Sequence, residues 1–396
     1  MTASTKNNIS VCNLLSLIPA DQLNRIAQET NVNHYIKVLD GESVFYLLLY
    51  ALVECQRNSL RTMQDIFNSA SFKFLFNLPV RKTIRYNSIS ERLSVINPEF
   101  FKQAYELIFT VFSEYFSEQE MEDRLLIRVD STMVAEAANK LKEGIEVGLR
   151  PTKANANFRK QIKYTFAFDG CLPCQGEVFT HKTYTSESIA VPEVIYSYTE
   201  KNKGAIFVFD RGMESRQVMD KLTGSETPFV TRIKSNSRYT VTRIIEKGGG
   251  RRIGILEMDS DMEVRLPHRK SFWENNYRLI IARNPQTGSV YYFLTNIFDM
   301  EAEKIIEYYK KRWDIEVFFR FLKQELNLSH ITSTSSNGMQ VMLYMTMMTS
   351  ILVLVYKRLN QVGYKTAVRR IALELNEYII KLIVMYCGGD PSLVFR

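Results

Sequence analysis

Three acids in this chain stand where carboxylates do chemistry. Asp130 ends the apolar run LLIRVD (Leu125–Asp130), and Asp210 follows the apolar run of AIFVFDRG (Ala205–Gly212). Asp210 lies 80 residues past Asp130, and Glu316 a further 106 on, inside YYKKRWDIEVFFRFLKQEL (Tyr308–Leu326). That stretch holds eight charged residues and six aromatics with no proline or glycine. Laid out at about 100° per residue, Tyr308, Ile315, Phe319, Leu322 and Leu326 make an apolar face. Tyr309, Arg312, Glu316 and Lys323 share the neighbouring sector, with Arg320 close beside. Two readings are open for that sector: an ion-pair ladder at i, i+4 spacing, or a carboxylate flanked by phosphate-binding cations. A strand-terminal Asp likewise serves either as a turn residue or as part of an active site. Taken together, the three acids offer hard oxygen ligands of the kind Mg²⁺ prefers. Two such ions about 3.5–4 Å apart can drive phosphodiester displacement.

The elements that must hold these residues change character along the chain. Residues 1–122 carry apolar residues at helical spacing, in SVFYLLLYALVEC and FFKQAYELIFTVFSEYF, around a loop with the basic cluster Arg81, Lys82 and Arg85. Residues 123–227 read as strand, two strands about a turn (IKYTFAFDG, QGEVFTHKTY), a helical SIAVPEVIYSYTEKNKG and a further strand. Residues 228–298 are strand-rich, 299–360 helical, and 361–396 form a helical tail. The fold class is therefore α/β, between an N-terminal helical domain and a helical C-terminal region.

Lys and Arg number 51 against 43 Asp and Glu, a net charge of +8 that favours a polyanionic partner. The five cysteines have no regular framework and fit a reducing compartment. Cys171-Leu-Pro-Cys174 lacks the second pair a zinc site needs and reads as a turn. Met339–Tyr356 is uncharged for 18 residues, which suits a buried helix as well as a span. No second such run exists, and MTASTKNNIS has no apolar core of a secretory signal, so no membrane partner is expected.

The spacing Tyr309-x2-Arg312-x3-Glu316-x6-Lys323 resembles the Tyr-Arg-Glu-Lys signature of insertion-sequence family four DDE transposases, supported by VDST at Asp130, FDRG at Asp210 and LTN at Leu294–Asn296. The likeness covers roughly residues 85–350. It implies a ribonuclease H-like catalytic core interrupted by a β-rich insertion, the core lying in 123–227 and 299–360 and the insertion in 228–298. It also implies that Asp130, Asp210 and Glu316 are catalytic and bind two Mg²⁺ (or Mn²⁺) ions per active site. Tyr309, Arg312 and Lys323 would contact DNA phosphates, with Arg211, Arg232 and Lys234 as further DNA contacts. Residues 1–122 are read as an N-terminal DNA-binding domain matched only in kind, its basic loop open to phosphate contact or a solvated face. Trp273 falls in the block where relatives use a tryptophan on a flipped base; core packing is the expectation here.

The expected activity is metal-dependent end cleavage and strand transfer in cut-and-paste DNA transposition. The expected partners are double-stranded DNA (transposon ends and target) and a second copy of the chain, in the cytoplasm at the nucleoid of a prokaryote. Two alternatives stand beside it. Another ribonuclease H-like nuclease would keep the acids but not the Tyr-Arg-Lys register, and an inactive transposase-derived DNA-binding protein would have no need of the acids.

Overall fold

The structure, a computed structural model, describes residues 9–54, 59–79, 81–116, 124–135, 141, 144–147, 159–247, 251–268 and 271–393. Of the stretches quoted above, residues 1–8 of MTASTKNNIS and Cys55, the last residue of SVFYLLLYALVEC, lie outside them. The chain divides into two compact units, one of residues 1–116, 134–162 and 319–396, the other of 117–133 and 163–318. Helices from both ends of the sequence thus share one unit, where separate N- and C-terminal bodies were expected.

The first unit is helical. In chain order it holds α1 (Val11–Ser16), α2 (Ala20–Glu29), α3 (Gly41–Glu54), α4 (Leu60–Asn68), α5 (Ala70–Leu75), α6 (Tyr86–Val95) and α7 (Pro98–Ser113). The long helices α12 (Ser336–Leu359) and α13 (Tyr364–Tyr386) belong with them. The uncharged Met339–Tyr356 run lies within α12. This helix alone among the described residues is long and apolar enough to cross a membrane, and it is mostly buried inside the protein. It packs against α7, α3, α6 and α13, and Thr346 and Ser350 return their hydroxyls to Met342 and Met347 carbonyls one turn back. Glu374 of α13 joins the ends of the unit, accepting from the Val11 amide at 2.8 Å and from the Tyr356 hydroxyl. Arg81, Lys82 and Arg85 are exposed just ahead of α6.

The second unit is built on a sheet. Its strands are β1 (Leu126–Ala135), β3 (Arg159–Phe168), β4 (Pro173–Phe179), β5 (Ile206–Phe209), β6 (Phe229–Arg232), β7 (Thr240–Lys247), β8 (Arg252–Ile253), β9 (Leu256–His268), β10 (Ser271–Arg283) and β11 (Val290–Thr295). The remaining strand, β2 (Ile145–Val147), pairs with the first residues of β3 in the first unit. The order is β3-β1-β5-β6-β11-β10-β9-β7, with β4 on β3 and β8 on β9. β1, β5 and β6 are parallel, while β3–β4 and the pairs from β6 through β7 are antiparallel. The strand-rich block 228–298 is therefore not a sheet of its own, because β6 and β11 continue the sheet that holds β1 and β5. Helices α8 (Glu187–Thr199), α9 (Arg216–Gly224) and α10 (Ala302–Lys310) pack against β4, β10 and β11 respectively.

Local sequence explains the joints. Asn296 of LTN takes the Phe229 amide on Oδ1 at 2.9 Å and gives Nδ2 to the Thr227 carbonyl at 2.9 Å, tying the end of β11 to the start of β6. Cys171 sits in the β3–β4 turn, where Gly170 takes φ +94°, and Cys174, the second residue of β4, gives Sγ to the Ala167 carbonyl. Trp273 is not a core residue. It is half-buried on β10 and stacks on His268 of β9 at 4.0 Å between ring centroids.

Within the β9–β10 pair Arg278 and Asp261, almost without solvent exposure, form a forked ion pair at 2.6 and 3.0 Å. Arg278 also reaches the Phe298 and Met300 carbonyls. Losing one partner strands a buried charge, so Arg278→Met is expected to cost about 3–5 kcal/mol. A chemical-denaturation midpoint equal to that of the wild type would contradict this.

Candidate active site

Strand register brings the first two acids together. Leu126, Ile127, Arg128 and Val129 pair in parallel with Ile206, Phe207, Val208 and Phe209. The next residue on each strand is an acid, so Asp130 and Asp210 stand at the same level of adjacent strands. Side chains emerge beyond the carboxyl ends of parallel strands in just such places, where open α/β sheets bind ligands. Asp130 does not end its strand, as LLIRVD suggested; β1 runs on to Ala135. The parallel pairing stops at Val129, while β1 continues beside β3.

The charged stretch is two helices. α10 ends at Lys310 and α11 (Trp313–Glu325) begins three residues later, with Lys311 and Arg312 at the break. The single apolar face expected from Tyr308 is broken with it. Tyr309 takes the buried position, and Tyr308 is only partly covered. Ile315, Phe319, Leu322 and Leu326 are buried as expected.

The break lets Arg312 meet all three acids. Its guanidinium lies 2.5 Å from Glu316 Oε1, 3.6 Å from Asp130 Oδ2 and 3.9 Å from Asp210 Oδ1. Tyr309 donates its hydroxyl to Asp210 Oδ1 at 3.1 Å, with its ring edge-on to Phe293. Burial pushes the Tyr309 hydroxyl up to about 12 against the opposing pull of Arg232, so it acts as a neutral donor. Asp130 Oδ1 accepts the Ser131 amide at 2.7 Å. Burial pushes the Asp130 carboxyl up to about 7; the Ser131 amide and Arg312 oppose this, and Glu187 and Asp210 add to it.

Not every expected contact joins this group. Arg232 does, its guanidinium over the rings of Tyr291 and Tyr309 at 5.2 and 5.3 Å. Arg211 is exposed beside Asp210. Lys234 is exposed and paired with Glu214 at 2.7 Å. Lys323, further along α11, is half-buried and falls in the first unit. The reading of the residues missed Glu187, whose charge raises Asp130 and opposes the fall that burial imposes on Lys163. Glu187 Oε2 lies over Gly212, within 2.1 Å of where a Cβ would stand, so the glycine leaves the carboxylate room beside Asp210. An acid in the first turn of a helix is ordinary dipole pairing, so Glu187 carried no signal.

The donor set suits a hard divalent cation, with three carboxylates and no softer ligand. Among the described residues, however, no group of three acids, histidines or cysteines is close enough to hold a metal.

The raised Asp130 carboxyl has a consequence for stability. With an unfolded value of 3.8 and a folded value of about 7, the native state holds this proton more tightly. Its contribution is full below about pH 4 and is lost as pH rises to about 7. Asp130→Asn should therefore remove part of the fall in stability between pH 5.5 and 8 in metal-free buffer. Only roughly 1.5 pH units lie between pH 5.5 and the folded value, so the difference is at most about 2 kcal/mol, read from denaturant midpoints at the two pH values. Parallel pH dependences would contradict it.

Comparison with known proteins identifies the family. The family model of the transposase DDE domain matches residues 123–352, more than half of the chain, and the chain belongs to that family. A Sinorhizobium fredii protein named as the transposase y4zB is 30% identical over 166 residues, 40% of this chain and 44% of that protein. The protein named as the transposase of insertion sequence element IS5377 in Geobacillus stearothermophilus is 26% identical over 143 residues, 36% of this chain and 37% of the relative. The corresponding protein for element IS4SA of Synechocystis is 27% identical over 150 residues, 37% of this chain and 39% of the relative. The match thus spans less than half the length of these relatives. A piggyBac transposase synaptic complex with hairpin DNA covers 96% of this chain and 83% of that chain at 11% identity, with a TM-score of 0.46, too slight a likeness to carry an argument.

Proposed function

We propose that this chain is a cut-and-paste DNA transposase of the insertion-sequence family four type, with a ribonuclease H-like core. The observation that carries the reading is the convergence of Asp130, Asp210 and Glu316 on Arg312, with Tyr309 against Asp210. The strand order β4-β3-β1-β5-β6, antiparallel at β3–β4 and parallel from β1 to β6, supports the core assignment. Two relatives named for insertion sequence elements support a prokaryotic mobile element, and action on DNA at the nucleoid would follow from that reading.

Asp130, Asp210 and Glu316 would hold two Mg²⁺ or Mn²⁺ ions, which supply Lewis acidity to the entering and leaving oxygens. The chain's own groups do the rest. Arg312 suits a bidentate grip on non-bridging phosphate oxygens. Tyr309 orients Asp210, and Arg232 stacks behind Tyr309. In the first step water adds to phosphorus at the element end and the P–O3′ bond breaks, releasing a 3′-OH. In the second, that hydroxyl attacks a target phosphodiester, and a target 3′-oxygen leaves. Arg211, Lys234, Lys323 and the exposed Arg81–Arg85 cluster would track the DNA backbone, with two copies of the chain pairing the two ends.

The test is cleavage of labelled DNA bearing the gene's own flanking ends with Mg²⁺, by wild type and Glu316→Gln. Cutting at the end boundary by wild type alone, with both proteins bound, is the expected result. Equal cutting by both would leave Glu316 an ion-pair residue, and binding without cutting by either would favour a DNA-binding derivative.

A further inference from the structure

Arg128 lies two residues before Asp130 on β1, and alternation along a strand puts both on one face. Its side chain is 3% exposed, and a charge so buried is costly unless its donors are all met. All three guanidinium nitrogens find partners. Nη1 donates to the Leu126 carbonyl at 2.5 Å and to the Asp169 carbonyl at 2.9 Å, Nη2 to Asp314 Oδ2 at 3.0 Å, and Nε to the Lys311 carbonyl at 3.2 Å. Gly170 gives the fork room, since a Cβ there would stand 2.8 Å from Nη1.

Two of those partners flank the break between α10 and α11. In an unbroken helix the Lys311 carbonyl would accept from the Ile315 amide. Here Ile315 donates to Arg312 at 3.3 Å, and the Lys311 carbonyl takes Asp314 N at 3.1 Å together with Arg128 Nε. Nothing local explains the break, for Lys310–Asp314 has no proline or glycine. Arg128 thus ties the strand that carries Asp130 to the joint that aims Arg312 and Glu316.

We propose that Arg128 is a positioning residue of the active site, holding the α10–α11 break so that Arg312 and Glu316 register against Asp130. This rests on the transposase reading for its kinetic readout, though not for its structural one. A misplacement of about 1 Å can cost on the order of a hundredfold in rate. Arg128→Met should therefore slow single-turnover cleavage of bound end DNA about a hundredfold, with the Kd for that DNA within about threefold of wild type. Lys, with no fork, should recover at most a tenth of the lost rate.

Trp313 gives an independent signal, being 53% exposed at the break. In a Trp273→Phe background it is the sole tryptophan, and Arg128→Met should shift its emission and lower its anisotropy in the folded protein. Wild-type rate in the bound complex, or an unchanged Trp313 signal, would overturn the proposal and leave Arg128 a core ion-pair residue. Should Arg128→Met not fold, Asp314→Asn decides the matter, with a smaller fall in rate and the same Trp313 shift expected. An Asp314→Asn protein unchanged in both would overturn it. If wild type itself does not cut its ends, the transposase reading fails, while the Trp313 comparison still decides the positioning role.

Discussion

Asp210→Asn should abolish end cleavage, by on the order of a thousandfold or more, while leaving a folded protein that holds end DNA within a few-fold of wild-type affinity. The substitution is nearly isosteric. The Asn carbonyl can still accept the Tyr309 hydroxyl, so the α10 contact seen at 3.1 Å survives. What disappears is one negative charge from a set of three oxygen-ligand side chains, and with it much of the pull on a divalent cation. The measurement pairs gel-shift binding with single-turnover cleavage. Cleavage retained above about a tenth of wild type would mean that Asp210 only anchors Tyr309 and that the cluster is not catalytic.

The second large effect is expected at Arg312 and has two opposite parts. Without DNA, one guanidinium serves three carboxylates at 2.5, 3.6 and 3.9 Å. Burial works against its charge, but Glu316, Tyr309 and Asp210 outweigh it and the proton is held more firmly than usual. Arg312→Met leaves those acids without their counter-ion, so Mn²⁺ measured by titration calorimetry should bind at least about tenfold more tightly. Cleavage should nevertheless fall about a hundredfold, because the grip on the scissile phosphate is gone. Weaker Mn²⁺ binding in the variant would show that Arg312 scaffolds the acids rather than competing for them.

How far the site could be read from sequence depends on how locally each part is determined. Asp130 and Asp210 were legible because a short apolar run ending in an acid is a local pattern. Glu316 and Arg312 were legible because, with Tyr309 and Lys323, they share one sector of a helical layout. Their helix was not, since the break after Lys310 has no local cause and is held by Arg128, 183 residues away in sequence from the Lys311 carbonyl. That error carried Tyr308 into the core in place of Tyr309. LTN was noticed as part of a family pattern, yet Asn296 works as a clamp between two strands. The block 228–298 was recognised as strands, but which sheet they join depends on ladders between distant segments, which composition does not encode.

The pairing of Val129 with Phe209 has a bearing on how this sequence can change over time. Because the two aspartates are set by counting residues along neighbouring strands, the spacing between them does not depend on how much chain intervenes. Loops between Ala135 and Ile206 can lengthen or shorten without moving one acid relative to the other. A single codon gained or lost within residues 126–130 or 206–210 would turn an acid to the opposite face of the sheet. Lineages of this protein should therefore vary freely in length between the aspartates and hardly at all in the few residues leading up to each.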